Sequence, residues 1–278
     1  MSSWWKEAIG YQIYPRSFKD TNQDGIGDIN GIREKLPYLK ELGVDFIWIT
    51  PIYQSPNVDN GYDISDYCSI SEDFGTMEDF KQLVYEAKQV EIKLIMDLVI
   101  NHTSNQHYWF EKSRENDTND YSDYYIWHKP VNGQAPNDWQ AIFGGSVWEF
   151  DETRGEYYFH TFAKEQPDLN WDSEAMKRQV FAMIEWWIAQ GIDGFRIDAI
   201  SHIKKSEWNQ PFCPERPFEH FQNTEGIDSY LKELSSLLKK HQMMSVGEAS
   251  GVYAEEATKW VGPDGHFDMM FEFEHINL

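Results

Sequence analysis

Gly194-Phe195-Arg196-Ile197-Asp198 decides the reading of this chain. The run is apolar apart from Arg196 and Asp198, which stand two residues apart. In a strand they share one side, with Phe195 and Ile197 on the other. Two more short apolar runs finish in the same manner. One is Leu94-Ile95-Met96-Asp97-Leu98-Val99-Ile100-Asn101-His102, the other Met244-Ser245-Val246-Gly247-Glu248. Capping of the next helix by Asp or Glu would explain any one of these carboxylates. All three together, with Arg196 and His102 beside them, point to one functional rim. In a closed barrel of parallel strands the active site gathers at the carboxyl ends of several strands. The runs therefore favour a barrel over an open doubly wound sheet, which the same elements would also fit.

Working outward, β-rich runs at residues 9–14, 46–50, 94–98, 195–198, 244–247 and 269–273 alternate with helical patterns, the signature of a parallel sheet. Residues 32–42 place Ile32, Leu36, Leu39 and Leu42 on one stripe, closed by Gly43. Residues 77–87 repeat the pattern with Phe80, Leu83 and Val84, and residues 175–190 with Val180, Met183, Ile184, Trp187 and Ile188. From 103 to 172 the chain is polar, aromatic and rich in turns. So long a stretch without structure is improbable, so it reads as an inserted small domain with a hairpin across Arg154-Gly155. The expected architecture is α/β, a (β/α)8 TIM-type barrel truncated after about six strands. Residues 1–102 supply strands 1–3, 103–172 the insertion, and 173–278 strands 4–6.

The charge narrows the partners. Against 24 Lys and Arg stand 47 Asp and Glu, a net of −23. Such a surface repels phosphate backbones and anionic lipid, so neither nucleic acid nor membrane is expected as a partner. A neutral substrate fits better. Twelve tryptophans and fifteen tyrosines serve core packing or stacking on sugar rings, and composition alone leaves both open. Cys68 and Cys213 give no disulfide framework. No apolar run approaches ~18 residues and the start lacks a signal-peptide pattern, so a cytoplasmic location is expected.

The strand ends suggest the chemistry. Arg196 beside Asp198 favours the ionised carboxylate a nucleophile requires. Glu248, on the next strand, becomes the acid once burial and its neighbour raise its pKa. Adjacent strands lie ~4.8 Å apart, which suits the ~5–5.5 Å carboxyl separation of a retaining glycosidase. A second pattern, Asp20-Thr21-Asn22-Gln23-Asp24-Gly25-Ile26-Gly27-Asp28, alternates oxygen side chains as a Ca²⁺ loop does. Gly31 occupies the place of an EF-hand's last ligand, so the loop is not an EF-hand. Asp20, Asn22, Asp24, the Ile26 carbonyl and Asp28 could wrap a cation, or Asx hydrogen bonds could hold a plain turn.

These motifs, with Asn60-Gly61-Tyr62-Asp63-Ile64-Ser65-Asp66-Tyr67 and Gln166-Pro167-Asp168-Leu169-Asn170-Trp171, resemble the α-amylase family of glycoside hydrolases. Within it they are similar to the bacterial α-glucosidase and oligo-1,6-glucosidase group. The resemblance implies an exo-acting α-glucosidase that takes short gluco-oligosaccharides from the non-reducing end, with Asp198 as nucleophile and Glu248 as acid/base. It also implies that His102 and Arg196 hold the reacting sugar, that Tyr62 stacks on it, and that Asp59 grips its outer hydroxyls. Gln166 belongs to the stretch typical of the exo-acting group, Phe143 and Phe162 form aromatic walls, and the early loop binds Ca²⁺ or Mg²⁺. No organic cofactor is implied. Ala199, where 1,6-acting relatives commonly carry Val, suggests α-1,4 bonds. Trehalose-6-phosphate hydrolases and sucrose isomerases look alike over this region, and Lys204-Lys205 is a candidate for a phosphate, though a solvated helix face explains the pair more cheaply. A non-catalytic ancillary subunit on the same barrel is the reading from another class. The family's third catalytic carboxylate falls after a seventh strand, so residues 1–278 by themselves are expected to be inactive.

Overall fold

The computed structural model describes residues 4–262, 264–271 and 273. Six strands form one parallel sheet: β1 (Gly10–Ile13), β2 (Phe46–Ile49), β3 (Lys93–Val99), β4 (Gly194–Asp198), β5 (Met244–Gly247) and β6 (Met269–Met270), hydrogen-bonded in that order. Spatial order thus follows chain order, as in a barrel wall wound in one direction. The run expected at 269–273 is a strand over its first two residues. Glu272 of that run, and 274–278 at the end of the last barrel segment, lie outside the described residues.

Four longer helices connect the strands: α1 (Ile29–Glu41), α2 (Met77–Gln89), α3 (Glu174–Ala189) and α4 (Asp228–Lys240). α1 starts three residues before its apolar stripe suggests, because Asp28 accepts the Gly31 amide and caps it. α2 begins at a Thr76/Asp79 capping box, and α3 at Ser173, which accepts from the Met176 amide. α4 buries Tyr230, Leu231, Leu234 and Leu238 and was not singled out in the sequence. Against the sheet these helices bury a continuous apolar core that includes Ile32, Leu83, Ile184, Trp187 and Leu234.

Between β3 and α3 the chain builds a three-stranded antiparallel sheet. Trp148–Asp151 and Glu156–Phe159 pair across Arg154-Gly155, and Trp127–His128 adds to the second of them. Its apolar side is not closed by its own residues. Trp139, Val147, Trp148 and Phe159 pack with Phe221, and Trp208, Phe212 and Phe218 cover them. The segment following β4 therefore completes the core of the insertion, over the mouth of the sheet.

Candidate active site

The closeness of β4 to β5 has a local cause. A Cβ on Gly194 would stand 2.3 Å from the Met244 carbonyl, so only glycine permits this approach. The register then sets Ile197 opposite Gly247, and the next residues, Asp198 and Glu248, emerge side by side at the carboxyl ends. Ala199 follows in the left-handed region at φ 45°, a conformation that costs an L-residue about 1–2 kcal/mol. That turn aims the Ala199 amide at Glu248 Oε2, 2.8 Å away.

One guanidinium joins the carboxylates. Arg196 Nη1 lies 2.8 Å from Asp97 Oδ1 and 2.5 Å from Asp198 Oδ1, while its Nη2 lies 2.9 Å from Glu248 Oε1. Asp97, at the end of β3, also accepts from Trp48 Nε1 at 3.0 Å and from the Tyr62 hydroxyl at 3.1 Å. The guanidinium sits between aromatic rings, 5.0 Å from the Trp48 centroid and 5.7 Å from those of Tyr62 and Phe271. Three carboxylates around one cation leave the cluster net negative.

Burial dominates how these groups titrate. It pushes Asp198 up to about 6 against the pull of Arg196, and Asp97 likewise to about 6. Arg196 thus favours the ionised Asp198, the direction read from the sequence, but burial outweighs it. Its charge limits a rise that desolvation imposes. Glu248 is pushed to about 7, by burial first and by Asp198 second. The cluster holds Arg196 firmly protonated.

The other expected residues gather on the same rim. Tyr62 and Asp59 stand on a loop fixed by buried Asp63, which accepts from Ser55 Oγ and from the Val58 and Asp59 amides. Gln166 Nε2 bridges Asp59 Oδ2 at 3.0 Å and His102 Nε2 at 3.1 Å. Phe162 packs edge-on to His102 at 5.2 Å and touches the exposed Phe143 at 5.5 Å. A cavity of about 480 Å³ opens beside them, with Glu248, Ala199, Phe162, His202 and Tyr253 among its walls.

Two parts of the sequence reading look different in three dimensions. Lys205 does not line the cavity beside Glu248. Its side chain is 3% exposed and lies 2.6 Å from Asp168, itself fully buried, so it is spent on an internal ion pair and unavailable to a phosphorylated substrate. The signal was Asp168 in a turn-rich stretch facing a lysine after β4, a pairing that sequence distance concealed. In the early loop, Asp20 accepts the amides of Asn22, Gln23 and Gly25. These amides, Gly25's foremost, hold its carboxyl below the usual range. Asp24 accepts the Ile26 amide, and Asp28 the Thr21 and Gly31 amides. An all-oxygen donor set suits a hard cation, yet among the described residues no three His, Cys, Asp or Glu side chains converge as a metal site. In this conformation the loop is closed by its own Asx hydrogen bonds.

A parallel half-barrel that brings an aspartate and a glutamate from adjacent strands onto one arginine places its ionisable cluster at the carboxyl ends of the strands, where barrel enzymes carry their active sites. The chain belongs to the alpha-amylase catalytic-domain family, whose pattern it matches over residues 12–278. It is 52% identical to a probable oligo-1,6-glucosidase 3 of Bacillus subtilis (strain 168), over 99% of this chain and 51% of that protein. It is 48% identical to an alpha-glucosidase of Pediococcus pentosaceus, over 99% and 50%. A crystal structure of Bacillus licheniformis trehalose-6-phosphate hydrolase superimposes with a TM-score of 0.95 at 45% identity, over 99% of this chain and 50% of that one. The chain thus spans about half the length of the curated relatives it matches. Among the described residues no helix is long and apolar enough to cross a membrane.

Proposed function

We propose that the protein carrying this chain is a retaining, exo-acting α-glucosidase that hydrolyses α-glucosidic bonds at the non-reducing end of short gluco-oligosaccharides. The observation that carries the reading is the sharing of Arg196 by Asp198 and Glu248. Asp198 and Glu248 are also within hydrogen-bonding reach of each other, which favours the short carboxyl separation of a retaining enzyme over the wider one that admits the extra water of an inverting enzyme. Asp198, the more acidic of the two, attacks the anomeric carbon. Glu248, protonated near neutrality, gives its proton to the departing oxygen and later takes one from water. Asp59, Tyr62, His102, Gln166 and Arg196 form the end wall that receives the terminal glucose, with Phe143 and Phe162 at its side. The net negative cluster favours the positive charge that develops on the sugar.

Small Ala199, directly after the nucleophile and in the wall of the cavity, supports α-1,4 over α-1,6 bonds. The test compares kcat/KM on maltose and isomaltose for the native protein and Ala199→Val. A maltose preference that the variant loses supports the reading, and a native preference for isomaltose refutes it. A trehalose-6-phosphate hydrolase has less support, since Lys205 is buried and Lys204 lies over the Tyr230 ring. A non-catalytic subunit would have no need of an assembled Asp198 and Glu248. Calcium, or magnesium, at the Asp20 to Asp28 loop belongs to the same proposal. The oxygen donor set supports it, and it requires Asp20 and Asp24 to exchange amide donors for the ion.

A further inference from the structure

Lys205 is the one buried lysine beside the site whose place in the chemistry is still open. Its ammonium has three N–H donors, and all are used. They go to Asp168 Oδ2 at 2.6 Å, to Asn101 Oδ1 at 3.0 Å and to the His202 carbonyl. Asp168 in turn accepts from Thr161 at its amide and hydroxyl, and from Asn101 Nδ2 at 3.2 Å. The Asn101 amide therefore cannot turn over. Its oxygen faces a group that only donates, and its nitrogen a carboxylate that only accepts. What it presents to His102 Nδ1, 3.2 Å away, is an N–H. Gln166 is fixed comparably, its oxygen accepting the Ala163 amide and its nitrogen donating to Asp59 beside His102 Nε2. Neither amide offers the ring an acceptor.

From this geometry we infer that Lys205 is a positioning residue: by locking the amide of Asn101 it denies His102 Nδ1 an acceptor, which fixes the orientation of the ring and holds it in its neutral form. The inference rests on the proposed function, in which His102 lines the glucose pocket. Asn101, His102, Gln166 and Asp168 are all fully buried or nearly so, so no water competes for these bonds. The groups facing His102 come from every side: Asn101 from the end of β3, Phe162, Gln166 and Asp168 from the insertion, Asp59 and the Tyr62 carbonyl from the loop after β2, and His202 and Lys205 after β4. Burial first, and Lys205 as well, push the ring toward its neutral form, while Asp168 and Asp59 pull the other way.

The test is ¹⁵N NMR of the histidine rings in the labelled protein carrying this chain, native and as Lys205→Met and Lys205→Met/Asp168→Asn. The double variant removes both charges, so the net charge of the pair stays zero while the lock on Asn101 is gone. In the double variant the Asn101 oxygen is expected to turn toward Nδ1, and in Lys205→Met, where Asp168 still accepts from the Asn101 nitrogen, to do so in part. The Nδ1 signal should move from an acceptor shift to an N–H shift, and the His102 titration should rise by at least one pH unit. Unchanged ring signals in the folded double variant would overturn the inference. So would a change confined to Lys205→Met, which is the field of an unpaired Asp168, or failure of both variants to fold, which makes Lys205 purely structural. Because the readout is the ring and not turnover, it can fail while the glucosidase reading stands, and the reverse.

Discussion

Arg196 serves three carboxylates at once, and this sharing sets the pH response of the site. Asp198 must be ionised to attack, so activity should appear as pH rises through about 6. Glu248 must be protonated to help the leaving group depart, so activity should fall as pH rises through about 7. The expected kcat/KM profile is a narrow bell whose limbs belong to the coupled cluster rather than to single residues. Glu248→Gln should abolish the alkaline limb for substrates with good leaving groups, and a profile flat from pH 5 to 8 would show that these carboxyls are not the titrating pair. At this scale much was legible in the sequence. Arg196 and Asp198 two apart, and Glu248 at the next strand's end, announced the cluster because strand alternation is strict. Lys205 is neither the solvated lysine nor the phosphate contact that the sequence offers, because its partner Asp168 lies in another segment and a buried pair looks in sequence like any surface lysine.

At the scale of elements, the β4–β5 contact is what puts Asp198 and Glu248, the proposed nucleophile and acid, together. Gly194→Ala must push Met244 away, which should lower stability by about 1–3 kcal/mol and reduce kcat well beyond the loss of folded protein. Urea denaturation beside kcat measures both, and a variant with native stability and kcat would mean that this approach is not needed. The Asp20 to Asp28 loop makes a separate prediction. If it takes Ca²⁺, ion at a hundred times its Kd should stabilise the fold by roughly 2.7 kcal/mol, with little effect on kcat/KM because the loop follows β1 and lies outside the carboxylate cluster. A Tm that does not respond to Ca²⁺, Mg²⁺ or chelator leaves the loop as a turn. The strands of the main sheet were readable because each is a short apolar run between breakers. α4 was passed over although Tyr230, Leu231, Leu234 and Leu238 fall at helical spacing. The pair Tyr53–Gln54 and Asp66–Ile70 is too short and too broken by its loop to leave a period in the sequence.

The whole molecule has a further property that the sequence announced: its described sheet is open. β1 and β6 are its outer strands, and between them the inner face presents Phe46, Trp48, Val246 and Phe271 around a space of about 340 Å³. Open edges beside an apolar face favour association. Residues 1–278 alone are therefore expected to self-associate and to turn over aryl α-glucosides no faster than an Asp198→Asn control. Sedimentation with a parallel assay checks this, and an active monomer would contradict it. What sequence could not foresee at this scale is the shared core, in which Phe221 and Trp208 from beyond β4 close the insertion, because such packing depends on which distant apolar segments meet. Asp198 is the proposed nucleophile of a retaining α-glucosidase. The most direct measurement is mass spectrometry of peptides from the protein carrying this chain, after reaction with a fluorinated α-glucosyl fluoride that slows breakdown of the glycosyl-enzyme. The account expects one covalent sugar, attached to the peptide containing Asp198 and absent from Asp198→Asn. A sugar on Glu248, or hydrolysis of the reagent with inversion and no covalent adduct, would contradict it.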